Sequence, residues 1–324
     1  MPYIPNTMQK WSNNKYSPVI IVFLLFEKFS NLCLANCLEP LRAVNDFSER
    51  DIFKWIFTSV DGGPILSSSG LPVMTERTSI DLKKIDYLFV TSSYDYTSHA
   101  NKECSHAIRT LAPKSNNLIG LDTGSWLLAN AGLLDGYNAT IHWDVFDEFA
   151  EKFFSLTAIK ERVIIDRTRI TCAGAMSAFE VTRKIIEKHS SKLMALNVDS
   201  LFMRDNIYPN SNTDKNSFEA NYVDRAIALM RENIENPLTL EQISKIISCS
   251  QKTLARRFHA KIQISPGQLY REIRLTLARH LLTTTHLPIY EIALRCGYDN
   301  PAALSRAYKK QFKIQPREEK KTNL

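Results

Sequence analysis

One pattern occurs twice in the last third of this chain, and few folds accommodate it. "LTLEQISKIISCSQKTLARRF" (238–258) puts Leu240, Ile243 and Ile247 on one apolar stripe. The stripe breaks near Ser248, and Leu254 and Phe258 then fall at i and i+4. Thr239 can cap the first segment, with Glu241 and Gln242 in its opening turn, and Ser250 can cap the second. Roughly 50 residues later, "LPIYEIALRCGYDNPAALSRAYKKQF" (287–312) repeats the arrangement. There Ile289, Ile292 and Ala293 form the stripe, Gly297 supplies the tight turn, and Asn300 caps a helix carrying Leu304 and Tyr308. Between the copies, "SPGQLYREIRLTLARHLL" (265–282) places Leu269, Ile273, Leu277 and Leu281 on one helical face. A helix of that length spans about 25 Å. It can hold two helix-turn-helix units near one DNA turn apart, about 34 Å. Any αα-hairpin mimics a single unit; two in tandem on one amphipathic connector are far more restrictive.

Charge supports a polyanion partner for this region. From Ala220 to Leu324 there are 18 Lys and Arg against 9 Asp and Glu, while the rest of the chain holds 23 against 25. The whole positive excess therefore sits in the C-terminal third. The competing reading is a solvated basic face without a partner.

The first two thirds follow another rhythm. Short apolar runs at 19–26, 53–60, 87–93, 117–121 and 161–173 alternate with helix-length segments at 31–45, 100–112, 124–134 and from Ala175 to about Lys188. Runs without polar alternation, interleaved with helices, predict a flavodoxin-like α/β fold: a mostly parallel sheet with helices on both faces. The predicted organisation is a disordered N-terminus (1–16), an α/β domain (17–204), an Asn- and Ser-rich linker (205–221), an all-α domain (222–317) and a tail (318–324). "PVIIVFLLF" (18–26) is too short to span a bilayer and is not followed by a signal-cleavage site. The six cysteines have no metal-site spacing, and Cys33 and Cys37 read as small buried apolar residues. A reducing, cytoplasmic setting is expected, with no membrane, metal or cofactor.

The motifs of 225–317 resemble the DNA-binding domain of AraC/XylS-type transcription regulators. The second helix of each unit enters the major groove in that family. Carried over by position, the first recognition helix offers Lys252, Thr253, Ala255, Arg256 and Arg257, and the second Asn300, Pro301, Ala302, Ser305 and Arg306. Lys309 and Lys310 suit phosphates better than bases. Two positions depart from the family pattern: Ser248 stands where the first turn usually has Gly, and Lys313 where the second unit usually ends in Gly.

"GLDTGSWLLANAGLL" (120–134) carries the four letters of the aspartic-protease signature. That chemistry needs two such carboxylates in a β-rich fold, and here one copy leads straight into a helix. A helix cap with no chemistry is the plainer alternative. Together with "LEPLRAVN" (38–45) and "RITCAGAMSAFE" (169–180), the stretch resembles the glutamine-amidotransferase-like domain of the PfpI superfamily, in the form found in GlxA-type regulators. The resemblance implies that Asp122 occupies the corner where enzymes of the superfamily keep a nucleophilic cysteine, with Glu39 and His142 matching the other site positions. Ser92 and Ser93 replace the Gly-rich oxyanion turn.

A carboxylate is a poor substitute for a thiolate in acyl transfer. The domain is therefore expected to be a ligand sensor and no enzyme, with no catalytic residue. The expected ligand-binding set is Asp122, Thr123, Gly124, Ser125, Trp126, Glu39, Ser92, Ser93, His142 and Trp143. A fixed anion beside aromatic rings suits a cation. Relatives with Asp-Thr-Gly are similar to regulators of carnitine, glycine betaine and arginine catabolism, which implies an amino-acid-like or betaine-like effector. The expected protein is a homodimeric activator on double-stranded promoter half-sites, with RNA polymerase as a further candidate partner. An amidotransferase or hydrolase fused to a DNA-binding module is the alternative, and an architectural protein a third.

Overall fold

The computed structural model describes residues 17–48, 50–78, 84–202 and 222–323. The segments read as a disordered N-terminus and a linker lie outside the described residues. The chain divides into two compact units after Val198.

The first unit is built on a sheet whose strands are β1 Val19–Leu25, β2 Phe53–Ser59, β3 Gly63–Leu66, β4 Pro72–Arg77, β5 Ile85–Ser92 and β6 Ser115–Asp122, and, beyond a small parallel pair (β7 Asn138–Ala139, β8 Thr157–Ala158), β9 Val163–Asp166 and β10 Arg169–Cys172. The eight-stranded order is β3-β4-β2-β1-β5-β6-β10-β9. The pairs β1–β2, β1–β5, β5–β6, β6–β10 and β2–β4 are parallel, whereas β3–β4 and β9–β10 are antiparallel. Central β1 is buried on both faces from Ile21 to Leu24, which explains its unbroken apolar run. The helices of this unit are α1 Asn31–Phe47, α2 Tyr96–His99, α3 Lys102–Leu111, α4 Gly124–Asn130, α5 Phe146–Lys152, α6 Ala175–His189 and α7 Lys192–Leu201. Side chains of α3, α4 and α5 share one apolar cluster with Val22, Leu24, Leu88 and Val90. The helices α1 and α6 pack together and cover the other face.

Three local expectations change. The stretch 61–78 forms the β3–β4 hairpin, which the sequence reading left unassigned. Residues 161–173, read as one strand, form the β9–β10 hairpin about Arg167, whose φ is 52°. The helix read over 124–134 stops at Asn130, and Gly132 turns the chain at φ 73°.

The second unit is helical: α8 Tyr222–Glu232, α9 Leu240–Ile246, α10 Gln251–Ile262, α11 Pro266–Thr284, α12 Ile289–Arg295, α13 Pro301–Phe312 and α14 Pro316–Asn323. Thr239 and Gln242 form a reciprocal capping box, and Ser250 and Asn300 cap α10 and α13. Connector α11 is fastened to both helix-turn-helix units. Tyr270 donates its hydroxyl to the Asn233 carbonyl at 2.6 Å and accepts from the Leu238 amide at 3.2 Å. Arg274 donates to the carbonyls of Cys296 (2.7 Å) and Gly297 (2.5 Å) while lying over the Tyr298 ring. Gly297 has φ 70°, and a Cβ there would come within 2.4 Å of the Ile234 carbonyl oxygen, so only glycine makes this turn. Residues 318–323, expected as a tail, belong to α14. Its buried Glu319 pairs with Arg279 at 2.7 Å and accepts from the Tyr308 hydroxyl.

Candidate functional site

Strand β6 ends at Asp122, which takes a left-handed conformation at φ 58° before α4 begins. A non-glycine residue in that region is strained and persists only when its surroundings hold it. Here they do. The Thr123 amide donates to the Ser92 carbonyl at 3.2 Å, and the Thr123 hydroxyl to the Ser93 carbonyl at 2.9 Å. Gly124 lets α4 press against β5: a Cβ there would meet the Val90 carbonyl oxygen at 2.0 Å. The turn is therefore clamped from β5.

The Asp122 side chain points inward and is 9% exposed. Its Oδ2 accepts from Ser93 Oγ at 2.7 Å and from Cys33 Sγ at 3.8 Å. Ser93 Oγ in turn accepts the Ser30 amide at 3.0 Å, tying the start of α1 into the corner. Burial pushes the Asp122 carboxyl above the usual carboxylate range, opposed by the Ser93 bond, the His142 charge and the Cys33 bond. Burial, then the Asp122 charge, pushes the Cys33 thiol up, which disfavours a thiolate at this corner. Burial likewise pushes Cys172 up to about 12.

Cys33 is the residue the sequence reading missed. It is fully buried as expected, yet its sulfur faces the elbow carboxylate. The usable signal was positional: α1 begins six residues after β1, at the same sheet end as the elbow, so its first turn reaches the corner. Glu39 lies six residues further along α1, about 9 Å. It pairs instead with Arg42 at 2.8 Å on a half-exposed surface.

The rest of the expected ligand set separates by burial. Thr123, Gly124, Ser125, Ser92 and Ser93 are buried. Trp126 is fully buried and packs against Tyr96, Phe149 and Phe153, so it is core and no ligand platform. By contrast Trp143 is 75% exposed. With half-buried His142 it lines an open cleft of about 880 Å³ that runs from Asp144 and Asp147 to the start of α6. The cleft lining includes none of Ser92, Ser93, Asp122 or Cys33; His142 lines it and acts on Asp122 through its charge. The volume of the cleft is that of an ordinary small-molecule site.

In the second unit, Lys252, Ala255 and Arg256 are exposed along α10, whereas Thr253 and Arg257 are half-buried. Thr253 is engaged locally, its hydroxyl 2.9 Å from Ser250 Oγ. On α13, Ala302, Arg306, Lys309 and Lys310 are exposed, Pro301 and Ser305 are half-buried, and Asn300 Oδ1 accepts the Ala303 amide at 2.9 Å. Ser305, Arg306, Lys309 and Lys310 frame a basic pocket of about 360 Å³ with Gln315. Ser248 and Lys313, the two positions where glycine was expected, both take positive φ, 58° and 61°.

Residues 243–322 match the helix-turn-helix domain family. Over 304 residues the chain is 32% identical to the HTH-type transcriptional regulator CdhR of Pseudomonas aeruginosa, covering 92% of this chain and 90% of that protein. It is 29% identical to the HTH-type transcriptional regulator GlxA of Rhizobium meliloti, over 91% of this chain and 94% of the relative. The fold is similar to the crystal structure of a THiJ/PfpI family protein from Pseudomonas syringae, with a TM-score of 0.51 at 19% identity, over 82% of this chain and 98% of that one. Among the described residues no helix is long and apolar enough to cross a membrane.

Proposed function

Since this chain belongs to the AraC/XylS family of transcriptional regulators, in the GlxA-type arrangement of a PfpI-like domain followed by an AraC-type DNA-binding domain, we propose that it answers to a small metabolite held beside Asp122 and performs no catalysis of its own. One observation carries this reading. The elbow position holds a buried carboxylate already bonded to Ser93 and Cys33, and the open cleft that His142 lines carries no cysteine among its described lining residues. A carboxylate in that state offers neither a thiolate nor a free general base.

The effector is amino-acid-like or betaine-like. Exposed Trp143 with Asp144 beside it suits an organic cation, through ring face and charge together. Asp122 acts as a strut that joins β6, the loop after β5 and α1 around the cleft, and is not itself the ligand contact. On DNA, Arg256 and Lys252 of α10 read bases, while Arg306, Lys309 and Lys310 of α13 hold phosphates. A homodimer on repeated half-sites, activating transcription in contact with RNA polymerase, completes the proposal.

The test is a footprint on DNA upstream of the gene and its neighbours, with and without L-arginine, glycine betaine and L-carnitine. A change in protection with one of them supports the reading. Protection indifferent to every cationic amino acid and betaine sinks it. Turnover of such a compound by the purified protein, abolished in Asp122→Ala, would overturn the claim of no catalysis.

A further inference from the structure

Charge is not balanced in the cleft that His142 and Trp143 line. Besides His142, its acidic and basic side chains are Asp144, Asp147, Lys160, Glu161 and Arg162. Lys160 pairs with Asp147 at 2.8 Å and lies 4.9 Å over the Phe146 ring. Arg162 pairs with Glu180 of α6 at 2.7 Å. Both pairs are partly open to solvent and add little stability, yet each cancels its own charge, so little net field is left from them. Asp144 and Glu161 remain. Both are exposed, and among the described residues neither carboxylate has a hydrogen bond or an ion pair. His142, whose Nδ1 accepts the Asp144 amide at 3.4 Å, offsets at most one of them.

The two carboxylates reach the cleft from separate segments. Asp144 lies in the single turn Trp143–Val145, after β7. Glu161 lies between β8 and β9. Its carbonyl accepts the Thr140 hydroxyl at 2.8 Å, and the Ile159 amide donates to the Ala139 carbonyl at 2.9 Å, so both segments are fixed to the β7–β8 pair. The aromatic ring between them in the lining is a separate observation. Trp143 is 75% exposed, with the His142 ring behind it at 5.5 Å between centroids and 38° between planes. A large open ring in a cavity of about 880 Å³ suits an organic cation, through ring face and charge together. The number of cations follows from the charges. A betaine brings one cation and one carboxylate, so it leaves the net charge of the cleft as it was and adds a third anion to two unpaired acids. A ligand with two cations meets both acids.

We propose that the ligand of this cleft carries two cationic groups, one received by Trp143 and Asp144 and the other by Glu161. The class is a basic amino acid or its decarboxylated amine, in preference to a betaine with a single cation. Glu161 is the residue that sets this preference. The assignment rests on the reading of this cleft as the effector site and narrows it.

The experiment is a calorimetric titration of the full chain with agmatine, L-arginine, L-citrulline and glycine betaine. L-citrulline has the shape of L-arginine with a neutral ureido group in place of the guanidinium. Agmatine and L-arginine should bind about three- to tenfold tighter than L-citrulline or glycine betaine, the worth of one charge-assisted contact partly open to solvent. Glu161→Gln should remove most of the gap between L-arginine and L-citrulline and leave glycine betaine within about twofold of its wild-type affinity. Raising salt from about 0.1 to about 1 M cuts the screening length from about 10 to about 3 Å, so it should narrow the same gap. An unchanged melting temperature shows that the variant folds. The proposal is overturned if L-citrulline or glycine betaine binds as tightly as L-arginine, or if the gap survives Glu161→Gln. Binding of none of the four overturns it together with the effector reading. A betaine that binds more tightly and shifts DNA affinity sinks the two-cation assignment and keeps the effector reading. Dications that bind here and leave DNA affinity unchanged count against the effector reading alone.

Discussion

Replacing Asp122 by Asn removes a charge from the elbow and keeps its shape. The carboxylate is 9% exposed and accepts from Ser93 Oγ at 2.7 Å. Burial raises its pKa over the opposing effects of Ser93, His142 and Cys33. A carboxyl whose folded pKa lies above its unfolded value, about 3.9, binds more protons folded than unfolded. Its contribution to stability is therefore fully present below about pH 4 and is lost as pH rises through the folded pKa. Above the folded pKa the wild-type protein bears a buried charge that the Asn variant lacks. Relief of that desolvation is on the order of 2 kcal/mol, and the weaker Ser93 bond to a neutral acceptor returns about 1 kcal/mol. The expected net is a gain of about 1 kcal/mol above the folded pKa, or about 2–4 °C in melting temperature for a unit of this size. Near pH 4 the two proteins should converge. Paired thermal melts across pH measure both quantities. A variant that is no more stable at the alkaline end of the range, or one whose gain is the same at both ends, refutes the argument from burial.

Ser248 and Lys313 spend φ near +60° without being glycine, so Ser248→Gly and Lys313→Gly should each stabilise the protein by about 0.5–1 kcal/mol in denaturant unfolding; a loss at either site would show that its side chain makes a compensating contact. Arg279→Met should destabilise by about 3 kcal/mol, because it leaves Glu319 buried and charged between α11 and α13, and a double change with Glu319→Gln should recover much of the loss. On DNA, Arg256→Ala should cost about 1–3 kcal/mol and relax preference at one base position, whereas Lys309→Ala and Lys310→Ala should weaken all sequences alike and lower the slope of log K against log salt by about 0.9 each. Full sequence preference in Arg256→Ala binding assays would remove it from the base readers.

The helical unit was readable because its signals are local. Thr239, Ser250 and Asn300 each cap a helix through an amide within three residues, and the apolar stripes repeat within one turn. The alternation of buried strands and helices was readable for the same reason, and it placed Asp122 at the end of β6. The hairpins were harder. The β9–β10 turn is made by Arg167 in a left-handed conformation, a residue that carries no turn signal. In β3–β4 the prolines and short strands blur the alternation that marks a strand.

What the sequence determined by itself is the kind of molecule this is: two helix-turn-helix units on a basic connector, behind an α/β domain with a carboxylate at its elbow. Periodicity, caps and motif spacing are properties of neighbouring residues, so they survive without coordinates. Which tryptophan meets solvent is decided by packing. Trp126 and Trp143 flank the same motif, and only the docking of α4 on β5 buries one while the cleft exposes the other. The partner of Asp122 was settled the same way. Cys33 stands 89 residues away in sequence, and it reaches the carboxylate because parallel strands bring the start of every following helix to one edge of the sheet.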